Sequence, residues 1–305
     1  MASTVSHHTG TRITDAASTE RIAADIERRL RAADRLVLPL ADTLELLHEL
    51  QQFDLGRFLL HNRGLNGYWT SYIFRNAPEG PVTPLEHWLL NDSLLCRARE
   101  RYHRFRALVA ECVTDGATLA SIPSGVMDDL LTQDYRGIED VRLVGVDLDT
   151  ESLRYAEENA RRYGLADRTS FRHEDAWNLG AEAEFDLVVS NGLNMYESDP
   201  ERLTGLYRSF HRALRPGGRL LISFLTPPPP PPWEAPEHAA AWGKYGIGED
   251  DLRRELSLMG DIVRATYLNF ADESDVRAQL TAAGFTVRSV QYSAGGVLPI
   301  ATAVK

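Results

Sequence analysis

The stretch Val141-Arg142-Leu143-Val144-Gly145-Val146-Asp147-Leu148-Asp149, continuing into Thr150-Glu151-Ser152-Leu153-Arg154-Tyr155-Ala156-Glu157-Glu158-Asn159-Ala160, decides the fold class. An apolar, β-rich run stops at an acidic residue, and a helix with apolar spacing begins at once. In a doubly wound sheet such an acid stands at the carboxyl edge of a parallel strand, where ligands bind. A carboxylate there can accept both hydroxyls of a ribose. A second acid, Asp175, closes the next unit, Thr169-Ser170-Phe171-Arg172-His173-Glu174-Asp175-Ala176. Acids at two successive strand ends suit a nucleoside, one taking the sugar and the other the amino group of the base. The plainer reading of each acid is the N-cap of a following helix, and the order of apolar strands before both acids favours the nucleoside.

Working outward, strands are expected at 117–122, 141–146, 169–172, 185–190 and 218–225, with helices at 126–131, 150–163 and 200–214. Arg215-Pro216-Gly217-Gly218 is a stop signal between the last helix and strand of that series. Helices resume over 249–259 and 273–283, and two closing strands, 285–292 and 297–304, join through Gly295-Gly296. Alternation of this kind predicts an α/β fold, a doubly wound and mostly parallel sheet of seven strands in all with helices on both faces. Upstream, from Ser18 to Val113, the period is helical: Ile22, Ile26 and Leu30 mark one face, and Leu44, Leu47 and Leu50 another. Asp54 reads as the N-cap of a helix over 55–62 that Gly64 stops, and 65–72 reads as an aromatic-rich turn. Pro84 opens a short helix to Leu90, and a longer one runs over 94–113. The expected organisation is a disordered tail over 1–17, a helical lid over 18–113 and an α/β domain over 114–305.

A hydrophobic content of 43% without a long unbroken apolar run implies a soluble protein with a sizeable core and no membrane span. The formal charge of −11 excludes a nucleic-acid backbone as partner, since that needs clustered Lys and Arg. The basic residues between Arg97 and Arg106, and the pair Arg161-Arg162, alternate with Glu and apolar positions and read as solvated helix faces. Cys96 and Cys112 form neither a disulfide framework nor a metal site and read as core filler; no metal is expected. The cysteine usage points to a reducing cytoplasm, and the polar first dozen residues carry no apolar segment of the kind a signal peptide needs. Six consecutive prolines, Pro227 to Pro232, form a stiff rod of roughly 19 Å at about 3.1 Å per residue. Following a strand's carboxyl end, the rod suits a strap across the mouth of a site, or a ligand for a partner.

From about Ala117 onward the chain resembles the class I S-adenosylmethionine-dependent methyltransferases of small-molecule type. The likeness is carried by Gly145-Val146-Asp147-Leu148-Asp149, Glu174-Asp175-Ala176, Phe185-Asp186-Leu187-Val188-Val189-Ser190-Asn191-Gly192 and Leu214-Arg215-Pro216-Gly217-Gly218-Arg219-Leu220, in that order. The resemblance implies S-adenosyl-L-methionine as cofactor and a sheet whose final strand is antiparallel. It implies that Asp147 binds the ribose, Leu148 covers one adenine face, Asp175 meets the adenine amino group and the Ala176 amide its ring. Ser190, Asn191 and Gly192 would border the methionine part and the acceptor. The first motif departs from the family, which carries an acid at the end of the first strand and then spaced glycines. Here Ser121 stands for the acid, Pro123 for the first glycine and Met127 for the last, leaving only Gly125. Ser124 and the amides after Gly125 are candidates for the cofactor's carboxylate, and its ammonium needs other acceptors, such as carbonyls near Ser121 or Ser190.

Methyl transfer from a sulfonium is an in-line displacement, so placing the acceptor is the main demand. Asn194 and Tyr196 are candidates to orient it, with Asn191, Tyr196 and Trp69 as substrate contacts. Glu197 is the nearest carboxylate, and a solvated loop charge explains it equally. His61 is the candidate base in the helical segment, against a hydrogen-bonded structural histidine. Tyr68 and Tyr72, four apart, share a helix face and are candidates to touch the cofactor from the lid, or to pack in a core. The expectation is a bacterial-type enzyme transferring methyl to oxygen or nitrogen of a small molecule, with O- or N-methylation favoured over C-methylation. The alternative is a methyltransferase-like protein that binds the cofactor but catalyses a non-methylating cyclisation or isomerisation. The helical segment offers a homodimer surface as readily as a lid.

Overall fold

The computed structural model describes residues 16–76, 82–265, 269–293, 296 and 298–305. The expected tail lies outside these residues except for its last two, which already begin the first helix; part of the Gly295-Gly296 turn lies outside as well.

The chain divides into two compact units, and the division is discontinuous in sequence. One unit takes the N-terminal helices through Arg99 together with the segment that starts at Pro229. It contains α1 (Ala16–Arg31), α2 (Leu40–Leu50), α3 (Asp54–Asn62), α4 (Gly67–Arg75), α5 (Pro84–Asn91) and the start of α6 (Leu94–Ala110). Later in the chain it adds two helices and a seven-residue π-helical stretch, Ser257–Val263. The expected turn over 65–72 is instead the helix α4, because Asn66 accepts the Trp69 amide at 3.0 Å and so caps it. In α3 the N-cap is Phe53 rather than Asp54, and Arg63 in the left-handed region ends the helix one residue before Gly64. From Pro229 onward the proline rod belongs to this unit, where Trp242 donates its indole N–H to the Pro230 carbonyl at 2.9 Å. The Arg253 guanidinium lies over the Trp233 ring, 3.9 Å from its centroid.

The other unit carries a sheet of seven strands, β1 (Ala117–Ser121), β2 (Val141–Asp147), β3 (Thr169–His173), β4 (Phe185–Asn191), β5 (Leu214–Ser223), β6 (Thr286–Gln291) and β7 (Ile300–Val304). The order is β3-β2-β1-β4-β5-β7-β6, and β7 alone runs against its neighbours, as expected. Its helices are α7 (Asp128–Leu131), α8 (Thr150–Arg162) and α9 (Pro200–Ala213), then α12 (Glu273–Ala282), with α10 (Ala239–Tyr245) and α11 (Glu249–Leu256) belonging to the helical unit.

β1 is buried along its whole length, and the apolar clusters on the two faces of the sheet cover it from both sides. Small residues Ser152, Ala156 and Ala160 let α8 lie close to the sheet, and Asp199 with Pro200 starts α9 over Leu203, Leu206, Tyr207 and Phe210. The sheet assignment of β5 runs through the Arg215-Pro216-Gly217-Gly218 corner, with a register shift opposite Phe185 and Leu187. Strand order reverses between β1 and β4, which opens the crevice above those two strands. No helix among the described residues is long and apolar enough to cross a membrane.

Candidate functional site

The parallel strands end in one row: Ser121 on β1, Asp147 on β2, His173 on β3, Asn191 on β4 and Ser223 on β5. Register sets Asp147 beside His173, and Asp175 follows two residues beyond the end of β3.

The two acids turn out to differ. Asp175 is the N-cap of a short 3₁₀ turn, accepting the Trp177 amide at 3.0 Å through Oδ1. Asp147 is not a helix cap; that role belongs to Asp149, which accepts the Glu151 amide at 3.0 Å and the Ser152 hydroxyl at 2.8 Å. Asp147 instead accepts the Gly125 N–H through Oδ2 and the Asp149 N–H through Oδ1, each at 2.9 Å. With these amides in place the carboxylate keeps accepting capacity for a ligand hydroxyl. Burial pushes this carboxyl up to about 6, offset in part by those two amides. Leu148 is half-buried, its carbonyl 3.0 Å from His173 Nε2, and Ala176 is buried. These residues fit the sugar and base of the sulfonium nucleoside that the resemblance implies, since the paired carboxylates retain accepting capacity at a partly open strand edge.

The loop after β1 has a shape of its own. Pro123 follows a cis peptide bond, Gly125 and Met127 lie in the left-handed region (φ +50° and +62°), and Met127 is 1% exposed, so the glycine-like backbone persists with a packed side chain on it. The Ser124 amide donates to Val146 O at 2.8 Å, the Gly125 amide to Asp147 and the Met127 amide to Ser124 O at 2.7 Å. The amides of Ser124, Gly125 and Met127 thus fold the loop onto the end of β2, and of the groups expected to take the cofactor's carboxylate, the Ser124 hydroxyl and the amides after Gly125, the Met127 amide is used within the loop. The Ser124 hydroxyl leans on the Gly125 carbonyl at 3.4 Å. Ser121 is buried, and its hydroxyl donates to Asp129 Oδ2 at 2.8 Å. Ser190 is 3% exposed.

At the ends of β4 and β5 stands a polar group that periodicity did not reveal. Arg101 on α6, read as part of a solvated face, is 7% exposed. Its Nη1 donates to Ser223 Oγ at 3.3 Å, and Ser223 in turn donates to Asn191 Oδ1 at 3.0 Å. Burial pulls this guanidinium down to about 10, against a smaller opposing influence of Tyr196. Tyr196 is raised by the same burial, so its hydroxyl stays protonated at neutral pH. Asn194 is buried, its Nδ2 donating to Tyr207 Oη at 3.0 Å, while its Oδ1 meets no partner among the described residues. Glu197 is ion-paired to Arg202 at 2.5 Å and accepts the Asp199 amide, which removes it as a base. The sequence signal for Arg101 and Ser223 was weak: a lone arginine in a charged helix and a serine closing an apolar strand.

The remaining candidates belong to the helical unit. His61 Nε2 lies 2.9 Å from Thr19 Oγ1. Tyr72 donates to buried Glu86 at 2.7 Å, and burial with that carboxylate raises its hydroxyl above the ordinary value. Trp69 is 3% exposed and makes edge contacts with Tyr68 and Tyr72, ring centroids 5.0 and 5.2 Å apart.

A family model for a methyltransferase domain matches residues 124–218, which span both acids and the ends of β2 to β4. Among solved structures, a Bordetella parapertussis protein described as "a possible exported protein" is 34% identical over 96% of this chain and 97% of its own, with a TM-score of 0.86. The fold is shared at 15% identity with magnesium protoporphyrin IX methyltransferase from Synechocystis, which carries bound S-adenosylhomocysteine (SAH); 78% of this chain and 94% of that one align, with a TM-score of 0.51.

Proposed function

The chain belongs to the class I S-adenosylmethionine-dependent methyltransferase family, and from that premise we propose that its acceptor is a small molecule methylated at an acidic oxygen, a carboxylate or a phenol-like hydroxyl. When bound, S-adenosylmethionine supplies an electrophilic methyl on its sulfonium. Asp147 and Asp175 hold the nucleoside, and Asn191, Ser223 and Tyr196 orient the acceptor at the ends of β4 and β5.

The observation that carries the oxygen reading is the buried Arg101 guanidinium at that end of the sheet. A cation in low dielectric stabilises a bound oxyanion nucleophile and repels an acceptor that arrives as an ammonium. Tyr196 stays protonated and Glu197 is held by Arg202, so neither serves as a general base there. An acceptor that ionises readily needs none. The acidic overall charge supports a small acceptor over a nucleic acid.

The test offers S-adenosylmethionine, labelled in its methyl group, with panels of hydroxy acids, phenols, amines, proteins and RNA. Esters or ethers of small acids are the expected products. Label entering only amines or macromolecules would overturn the reading. SAH binding without label transfer to any acceptor would favour the non-methylating alternative.

A further inference from the structure

The end of β1 is the centre of the crevice, and the sequence places a serine there, not an acid. Ser121 lies in register with Gly145 on β2 and Val189 on β4, so it flanks the point where strand order reverses. The structure nevertheless sets a carboxyl at this place. The Ser121 hydroxyl donates to Asp129 Oδ2 at 2.8 Å, and the Leu130 amide holds Oδ1 at 2.9 Å. Asp129 comes from α7, the short helix that follows the irregular loop and packs on β1. It is 7% exposed.

The side chains that act most strongly on Asp129 are neutral or acidic, the Ser121 hydroxyl and the Asp128 carboxyl, and Asp129 in turn acts on the phenols of Tyr102 and Tyr135. Arg106, over the Tyr102 ring at 5.8 Å, is not among the strongest influences on Asp129. Burial, reinforced by Asp128, pushes the carboxyl up to about 7, even though Ser121 and Leu130 hydrogen-bond to it. A buried carboxylate surrounded in this way is stabilised by a ligand that brings positive charge. S-adenosylmethionine brings an α-ammonium on its amino-acid end, the part that the nucleoside contacts of Asp147 and Asp175 leave unassigned.

We propose that Asp129 is the anionic partner of the cofactor's α-ammonium, held by Ser121 at the end of β1 and supplied from α7. This rests on the methyltransferase reading. The irregular loop then keeps the cofactor's amino-acid end bound by moving the carboxylate eight residues along the chain while returning it to the same strand end.

The experiment measures binding of SAH and of 5′-methylthioadenosine, which has the same nucleoside and sulfur but no amino-acid tail. Isothermal titration is run on the full chain. Asp129→Asn should weaken SAH at least tenfold and leave methylthioadenosine within twofold, whereas Asp147→Ala weakens both. Ser121→Ala, which frees the carboxylate to turn, should weaken SAH roughly threefold to fivefold, again without touching methylthioadenosine. The wild-type protein provides a readout that needs no variant. At pH 7 SAH binding should release about half a proton more than methylthioadenosine binding, read from enthalpies in buffers of different ionisation heat, because the ammonium fixes Asp129 in its charged form. Asp147 contributes equally with both ligands and cancels. Unchanged SAH affinity in Asp129→Asn, parallel losses of both ligands, or equal proton release would overturn the proposal. Wild-type protein that binds neither ligand would overturn the cofactor reading as well.

Discussion

Replacing Asp147 with alanine should separate ligand binding from folding, because two terms of similar size oppose each other in the free protein. The carboxylate accepts the Gly125 and Asp149 amides at 2.9 Å each. Leaving a buried amide unsatisfied costs about 1–3 kcal/mol, and the half-exposed Gly125 lies at the low end of that range because water reaches it. Against this, burial moves the carboxyl from 3.8 to about 6. Holding it ionised at pH 7 therefore costs the folded state on the order of 3 kcal/mol. The sign follows from the folded value lying above the unfolded one: the penalty is absent below about pH 4, grows towards pH 6 and persists above it. Alanine removes both terms. With about 2.1 cal/mol/K per residue over 305 residues, a residual of 1–2 kcal/mol shifts the melting temperature by no more than about 3 °C. Cofactor affinity has no such compensation. Hydrogen bonds from ribose hydroxyls to a charged acceptor contribute about 1.5–3 kcal/mol, so SAH should bind roughly 10- to 100-fold more weakly by isothermal titration. Unchanged affinity in a variant with native circular dichroism would refute the ribose assignment. A fall in melting temperature beyond about 8 °C with unchanged affinity would make Asp147 a purely structural anchor for the loop after β1.

Wild-type affinity for 5′-methylthioadenosine, which does not engage Asp129, should fall as pH drops through about 6, because protonated Asp147 loses an acceptor site; a flat profile between pH 5 and 8 would contradict this. Arg101→Met should lower kcat/KM for acidic acceptors at least tenfold while SAH affinity stays within threefold, and equal losses in both would move Arg101 from the acceptor to the cofactor. Gly145→Ala would bring a Cβ to 2.9 Å from the Phe171 ring and 3.2 Å from Met127 Sδ. Both neighbours are side chains that can shift, so urea titration should show a loss of about 1–3 kcal/mol rather than failure to fold, and a wild-type midpoint would refute the packing. Tyr72→Phe removes the 2.7 Å donor to Glu86 and should destabilise by about 1–3 kcal/mol without changing SAH affinity. A tenfold loss of affinity in Tyr72→Phe would instead return Tyr72 to the cofactor.

Much of the sheet was legible because its signals are local. An apolar run, an acid and a capped helix fit within about twenty residues, and each βα unit repeats the pattern without reference to the rest of the chain. The aromatic stretch of α4 misled for the opposite reason: Gly67 and the aromatics around it read as a turn, and only the Asn66 side chain on the Trp69 amide shows why a helix forms. The proline rod from Pro229 and the segment around α10 and α11 follow soon after β5, yet they fold with the N-terminal helices, since chain order carries no information about which apolar faces meet.

By itself the sequence determined the doubly wound architecture, the two acids at neighbouring strand ends and the irregularity of the loop between Ser121 and Met127. These depend on periodicity and residue type over short windows. Packing decided which acid caps and which accepts the loop, that Arg101 is buried against Ser223 from 122 positions away, and that Asp129 returns a carboxyl to the strand end where Ser121 stands. Burial and hydrogen-bond partners are properties of the assembled core. A charged side chain gains its chemistry there only when elements remote in sequence exclude water around it.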